Sequence, residues 1–238
     1  YSQSVGGRAM VVLHNDERIY ERYAPGDDAT FATHIESGTK GFWGAVAAAM
    51  IDDGLLSGFD ELASATLPEW ENDPLKRQIT VRHLLELNGL HAQEVGCERE
   101  TLADDLYEYA TEVPALITPG EQFSYGPVNY YAFGEIMKRK LAPLGQTPLA
   151  YLETRLLAPL GIRYEDWCFD DSGNPHVPNG VTLTARDWAR WGQFLLDEGA
   201  ALGGAQLVSA ALMRELRTPS APNPGHGMTL WLNTPGGA

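Results

Sequence analysis

An α+β fold in a single domain is what the 238-residue sequence predicts, and three observations predict it. Two strand-like segments around a short turn near the amino end indicate a β-hairpin, a long series of apolar-striped segments indicates helices, and strand-forming residues return close to the carboxyl end. Strands at both ends of a helical chain predict an antiparallel sheet of N- and C-terminal strands with flanking helices. Within this one domain of residues 1–238, we expect a helical subdomain over about residues 55–190.

The hairpin is predicted over residues 7–23. Residues 9–13 are uniformly apolar, and residues 18–23 are rich in strand-forming side chains. The segment His14–Glu17 between them supplies the residue types that tight turns prefer. Two strands joined by a short turn are therefore expected at the start of the fold.

The first long helix is predicted over residues 38–53. Its apolar residues recur at the helical spacing i, i+4, i+7 and i+8, and they are Phe42, Val46, Ala49 and Met50. Other apolar residues widen this stripe, so we expect a helix that is buried nearly all round. Gly54 is suited to end it, because glycine readily adopts the left-handed conformation that follows many helices.

Further helices are predicted from the same periodicity and from capping residues. They begin at about residue 79 with Thr80 as the N-cap, span residues 100–112, 128–140, 149–157 and 184–197, and include a short helix from residue 208. Thr184 is the expected N-cap of its helix, with Asp187 at the third helical position. Residues 170–180 are rich in Asp, Asn, Gly and Pro and predict a loop, whereas residues 228–233 predict a late strand.

Composition and charge exclude several classes of function. The net charge of −15 repels nucleic acid and anionic lipid, so neither is an expected partner. No apolar run approaches the roughly 20 residues that a membrane span needs. The six histidines lack metal-ligand spacing and neither cysteine lies in a CxxC motif, so no metal or cofactor is expected. Cys97 and Cys168 form either one disulfide or two separate thiols.

One serine is a candidate nucleophile. Ser37 and Lys40 form an S-x-x-K motif at the start of the predicted buried helix. Residues three apart share one face of a helix, so the lysine amine can reach the serine oxygen. A serine hydroxyl needs an adjacent base, and burial lowers the pKa of a lysine so that part of it is neutral. The backbone N–H of Ser37 lies at a helix start, where it can help to bind an oxyanion.

The motif also has a purely structural interpretation. Ser37 would then be a helix N-cap, and Lys40 would be a solvated residue of the first turn. A lysine in the first turn opposes the helix dipole, so this alternative explains the serine better than the lysine. On the motif alone, both interpretations stand.

Several segments in order along the chain match a known family. They are residues 31–40 with the S-x-x-K motif, 52–56 with 67–70, 79–85 with 89–90, 118–125, 159–162 and 184–190. From about residue 6 to residue 233, the chain resembles the serine β-lactamase and penicillin-binding-protein superfamily. The resemblance is to the class C-like branch, which includes D-alanyl-D-alanine carboxypeptidases and esterases. It implies a β-lactamase/DD-peptidase-like fold and a catalytic Ser37 and Lys40.

The family's second motif is Tyr-x-Asn, and its third is Lys/His-Thr/Ser-Gly. The resemblance implies that Tyr125 is the tyrosine that relays a proton beside the nucleophile. Pro127 replaces the asparagine, which in the family contacts the lysine and substrate, and Asn129 is its weak substitute in substrate binding. The third motif is absent, and residues 226–231 match the strand before it. We therefore expect the C-terminal strands of the sheet to be incomplete in this sequence.

A serine hydrolase that acts through an acyl-enzyme is the expected function. Its substrate would be a small-molecule amide, ester or β-lactam, with Pro127 favouring an ester or amide. The alternative is a catalytically impaired homologue that binds a ligand or partner through the same cleft. The family implies a periplasmic or extracellular location. The sequence begins at Tyr1 without a signal-like segment, which indicates a mature or trimmed form, and it leaves the oligomeric state open.

Overall fold

A computed structural model describes residues 2–90 and 103–233 of the chain. Within these residues the α+β prediction is confirmed, because helices are combined with two small antiparallel sheets. No described helix is long and apolar enough to cross a membrane.

The amino-terminal hairpin forms as the sequence predicts. Strand β1 (Ala9–His14) pairs antiparallel with β2 (Glu17–Tyr23). Asn15 and Asp16 form the two-residue turn with φ values of 50° and 63°. Both values are left-handed, and Asn and Asp tolerate this conformation better than most residues, so the turn joins the strands without a longer loop.

A second sheet holds three strands that the sequence analysis misses. Its strands are β3 (Ala32–His34), β4 (Tyr164–Trp167) and β5 (Val181–Thr184), in the order β3-β5-β4. They are only three or four residues long, too short for a clear alternation of apolar and polar side chains. The pairing of β3 with β5 brings the segment before Ser37 against the end of the loop at 170–180.

The described residues contain helices at the predicted positions, with shifted ends. They are α1 (Lys40–Asp52), α2 (Val81–Leu85), α3 (Leu106–Glu112), α4 (Val128–Leu141), α5 (Pro148–Leu152), α6 (Ala185–Leu196) and α7 (Ala210–Glu215). A π-helical turn at Glu153–Leu157 continues α5. Helix α3 begins later than predicted because Asp105 caps it, accepting hydrogen bonds from the backbone N–H groups of Tyr107 and Glu108. Residues 100–102 of that prediction lie outside the described residues.

Helix α1 is buried nearly all round, as predicted, from Lys40 to Met50. It starts later than expected, because a 3₁₀ turn at Glu36–Thr39 precedes it. Gly54 follows its end at φ 73°, and its N–H bonds to the carbonyl of Ile51 at 3.0 Å. The N–H of Leu55 bonds to the carbonyl of Met50 at 2.8 Å. These two bonds satisfy carbonyls that the helix end leaves free.

The predicted N-caps of α2 and α6 are confirmed. The Oγ1 atom of Thr80 accepts from the N–H of His83 at 3.2 Å, while Nδ1 of His83 accepts from the N–H of Thr80 at 3.2 Å. This is a capping box with histidine as the returning side chain, so His83 has a structural role at the start of α2. Thr184 likewise accepts from the N–H of Asp187 at 3.2 Å.

The predicted strand at residues 228–233 is wrong. The segment instead doubles back at a single bridge between His226 and Trp231, with Thr229 at φ 67°. A β-branched residue in the left-handed region cannot continue a strand. The N–H of Thr229 donates to the carbonyl of Leu85 at 3.0 Å. Among the described residues, the hairpin therefore stays a separate sheet and does not join a C-terminal strand.

Substitutions at two glycines inside helices test how closely the helices pack. A Cβ atom at Gly134 in α4 would lie 2.5 Å from the buried ring of Tyr107, whereas one at Gly192 in α6 would meet nothing within 4 Å. We expect Gly134→Ala to lower the free energy of unfolding by about 1–3 kcal/mol through overpacking. Gly192→Ala is the matched control and should raise it by about 0.5–1 kcal/mol through helix propensity. Urea-induced unfolding measures both, and equal stability of Gly134→Ala and the parent would contradict the packing.

Candidate active site

Ser37 and Lys40 lie in direct contact. The Nζ atom of Lys40 lies 3.1 Å from Oγ of Ser37, and it donates a 2.9 Å hydrogen bond to the backbone carbonyl of Pro178. Lys40 is only 6% exposed. This geometry contradicts the structural interpretation in which the lysine of the motif is a solvated first-turn residue.

The surroundings of Lys40 favour its neutral form. Burial lowers its pKa from 10.5 to about 8, because the charged amine loses water, and the nearby charge of Glu36 opposes the shift only in part. The rings of Tyr125 and Tyr130 lie with their centroids 5.2 and 5.6 Å from Nζ, where they attract its positive charge and so offset part of the effect of burial. An appreciable share of Lys40 is therefore a neutral base near physiological pH.

The 3₁₀ turn that carries Ser37 is tied to the second sheet. The N–H of Ile35 bonds to the carbonyl of Val181 in β5 at 3.1 Å. The fully buried Thr39 donates through Oγ1 to the carbonyl of Glu36 at 2.7 Å and accepts from the N–H of Val181 at 3.3 Å. The third residue of the S-x-x-K motif thus fixes the turn from inside.

Glu36, directly before Ser37, has a strained backbone. Its φ of 49° is in the left-handed region, which a glutamate rarely adopts. Its exposed carboxylate lies 3.0 Å from Nδ1 of His34. Strained backbone of this kind is concentrated at functional sites, where the surrounding structure holds it in place.

Tyr125 lies beside the Ser37–Lys40 pair. Its ring covers the Lys40 amine, and 43% of the residue is exposed to solvent. It follows the 118–120 turn and lies two residues before Pro127, the N-cap of α4. The structure therefore brings together the three residues that the sequence analysis assigns to catalysis.

The side-chain amide of Asn129 is directed to the backbone of Leu90. It is fully buried, its Oδ1 atom accepts from the N–H of Leu90 at 2.7 Å, and its Nδ2 atom donates to the carbonyl of Leu90 at 3.0 Å. Each polar atom of this amide already has a backbone partner. The geometry supports a role in holding the backbone at Leu90.

Two groups near Lys40 escape the sequence analysis. The carbonyl of Pro178 belongs to the backbone, so no motif can reveal it. His226 is buried against Phe123 and Trp231, with ring centroids 5.1 and 5.0 Å away. The pKa of His226 is lowered to about 4, chiefly by burial and to a lesser extent by the positive charge of Lys40, while a backbone hydrogen bond with Gly227 opposes the shift. A residue 186 positions after Lys40 in sequence gives no local signal of this neighbourhood.

Cys168 stands at the base of the loop that supplies Pro178. Cys168 is disulfide-bonded, and Cys97 lies outside the described residues. The backbone of Cys168 bonds to Gly180 at 2.9 Å and to His176 at 2.8 Å. No cluster of three or more potential metal-ligating side chains occurs among residues 2–90 and 103–233.

A Ser–Lys pair at the start of a buried helix, within a helix-rich α+β fold, is the arrangement expected of the β-lactamase and penicillin-binding-protein superfamily. The family model described as Beta-lactamase matches residues 2–238. The chain belongs to the Beta-lactamase family, a family of hydrolases.

Solved structures share this fold. A protein of Bacteroides dorei DSM 17855, provisionally assigned as a beta-lactamase, superposes with a TM-score of 0.77 at 18% identity, over 94% of this chain and 72% of its own. A protein of Bacillus anthracis, provisionally assigned as a 6-aminohexanoate-dimer hydrolase, gives 0.76 at 19% identity, over 96% and 66%. EstCE1, a hydrolase with promiscuous acyltransferase activity, gives 0.69 at 15% identity, over 93% and 76%.

At these identities the likeness concerns the fold. This chain spans 66% of the length of the Bacillus anthracis protein and 57–60% of the length of three further relatives. Their activities bear on this chain only as proposals.

The burial of Lys40 predicts an unusual titration. Its amine should lose its proton with a midpoint near pH 8, well below the ordinary lysine value of about 10.4. NMR of protein labelled with ¹³C at the lysine ε-carbons measures the midpoint, and Lys40→Arg identifies the signal among the four lysines. A Lys40 signal that titrates only above pH 10 would contradict the burial of its amine.

Proposed function

We propose that this protein is a serine hydrolase that forms an acyl-enzyme on Ser37 with a small ester or amide. The observation that carries the proposal is the 3.1 Å contact between Oγ of Ser37 and a buried, readily neutral Lys40 amine. A weak nucleophile is thus in contact with a base whose pKa is near the working pH.

The reaction follows from these groups. Neutral Lys40 takes the hydroxyl proton as Oγ of Ser37 attacks the carbonyl carbon, which gives a tetrahedral oxyanion. The backbone N–H of Ser37 helps to hold that oxyanion. The phenol of Tyr125 gives a proton to the leaving alcohol or amine and recovers one from Lys40. Water then attacks the acyl-enzyme, returns a proton through the same groups and frees Ser37.

The residues at positions 127 and 129 bear on the substrate class. Pro127 has no side-chain amide with which to bind the amide group of a β-lactam or a D-Ala peptide. The amide of Asn129 is bonded to Leu90, so it is a poor substitute in substrate binding, and we assign it a positioning role. Both features favour an ester or a simple amide over a β-lactam.

The same two features favour one alternative, a catalytically impaired homologue that binds a ligand or partner in this cleft. It predicts a folded protein whose Ser37 does not become acylated. We further propose a periplasmic or extracellular location, which the disulfide at Cys168 supports, because disulfides persist in oxidising compartments.

Covalent labelling separates hydrolase from impaired homologue. We expect a fluorophosphonate to add its phosphonyl group to Ser37, with loss of fluoride. The labelling rate should increase with pH as Lys40 loses its proton, with the midpoint of the increase near pH 8. Intact-protein mass spectrometry and peptide mapping locate the adduct. Ser37→Ala should abolish it, whereas the control Ser57→Ala, beyond the other end of α1, should leave it unchanged. Folded parent protein that takes up no label would rule out the proposed nucleophile.

The hydroxyl of Tyr125 can be tested apart from its ring. Tyr125→Phe keeps the aromatic face over Lys40 and removes the proton relay. We expect kcat/KM for p-nitrophenyl acetate to fall only slightly and kcat/KM for an alkyl ester to fall by about 10²–10⁴-fold, because only the poorer leaving group needs a proton during acylation. A pH-stat measures the alkyl ester. An equal loss on both esters would assign Tyr125 to base duty instead.

A further inference from the structure

Four rings form a continuous cluster beside Ser37 and Lys40, which we name the aromatic wall. Its members are Phe123, Tyr125, His226 and Trp231. Trp231 touches the other three, with ring centroids 5.9 Å from Tyr125, 6.0 Å from Phe123 and 5.0 Å from His226. The wall joins the segment before α4 to the doubled-back segment at 226–231.

One member of the aromatic wall is buried, and two are open to solvent. His226 is 2% exposed and supports Trp231 edge-on, at an interplanar angle of 87°. Trp231 and Tyr125 are 57% and 43% exposed, and their planes are inclined by only 31°. Two large, adjoining rings are thus both half-open to solvent, which is costly unless something covers them.

The open face lies close to the nucleophile. The ring of Tyr125 covers the Lys40 amine at 5.2 Å, and that amine lies 3.1 Å from Oγ of Ser37. A ring stacked on this face would therefore lie within the span of one small ester whose carbonyl meets Ser37. His226, with its pKa lowered to about 4, adds no charge to the wall at neutral pH.

We propose that Tyr125 and Trp231 bind an aryl group of the substrate by stacking, so that the enzyme prefers aryl esters or amides to alicyclic ones of equal size. This inference rests on the proposed function for the location of the reacting carbonyl. Aromatic rings prefer offset-stacked or edge-to-face contacts, and the two inclined rings offer both. Trp231 is the specificity-determining residue, because it does not cover Lys40 and its loss leaves the Ser37–Lys40 contact intact.

Binding to Ser37→Ala protein tests the proposal without requiring turnover. The probes are phenyl acetate against cyclohexyl acetate, and methyl benzoate against methyl cyclohexanecarboxylate, which place the ring on either side of the ester. Saturation-transfer NMR titrations give the dissociation constants. We expect at least one aryl ester to bind about 3–10-fold more tightly than its alicyclic partner.

Variants in the Ser37→Ala background assign the preference to the wall. Trp231→Leu should bring the aryl-to-alicyclic ratio close to one, and Trp231→Phe should keep most of it. Tyr20→Leu is the control, since Tyr20 is a half-exposed aromatic residue on the hairpin, and it should change nothing. Circular dichroism checks that each variant is folded.

Two results would overturn the inference: equal binding of aryl and alicyclic esters, or a preference that survives Trp231→Leu. Its failure is distinct from failure of the hydrolase proposal. Labelling of Ser37 without an aryl preference removes only the role of the wall. An aryl preference without labelling removes only the catalytic assignment.

Discussion

The amine of Lys40, held between a serine hydroxyl and a backbone carbonyl, is the constraint on which the rest of the site depends. A lysine in the first turn of a helix faces the positive end of the helix dipole, and burial removes its water. The carbonyl of Pro178 at 2.9 Å and the rings of Tyr125 and Tyr130 offset part of this cost. The pKa of the amine is therefore about 8, so part of it is neutral near physiological pH. The neutral form is the one that a base for Ser37 requires.

The loop before β5 must then hold the Pro178 carbonyl in place, and buried polar contacts do so. The indole N–H of Trp167 donates to the carbonyl of His176 at 3.1 Å, and the ring of His176 lies 3.0 Å from the hydroxyl of Tyr131. Gly180 approaches this indole so closely that a Cβ atom would lie 2.4 Å from its nitrogen. With the disulfide at Cys168, these contacts connect α4, the loop and the second sheet to one lysine.

Features that depend on neighbouring residues can be predicted from the sequence, whereas contacts between distant segments cannot. The turn at Asn15 and Asp16 and the cap at Thr80 follow from the residues themselves, and both are predictable. So is the Ser37–Lys40 spacing. Strand β3 and the Pro178 carbonyl are not, because each is defined by a partner more than a hundred residues away. The segment at 228–233 has strand composition, but tertiary contacts decide its backbone instead.

The same long-range contacts change the titration of the lysine in the S-x-x-K motif. In a solvated helix the lysine would keep a pKa near 10.5, and S-x-x-K would be only a spacing. Lowering that pKa to about 8 means that the folded state loses roughly 3 kcal/mol by holding Lys40 charged at pH values below 8. The unfolded chain binds this proton more tightly between pH 8 and 10.5, so the loss diminishes as pH rises through that window. A fold retains a destabilising arrangement of this kind where activity requires it, which argues for Ser37 and Lys40 as a working pair.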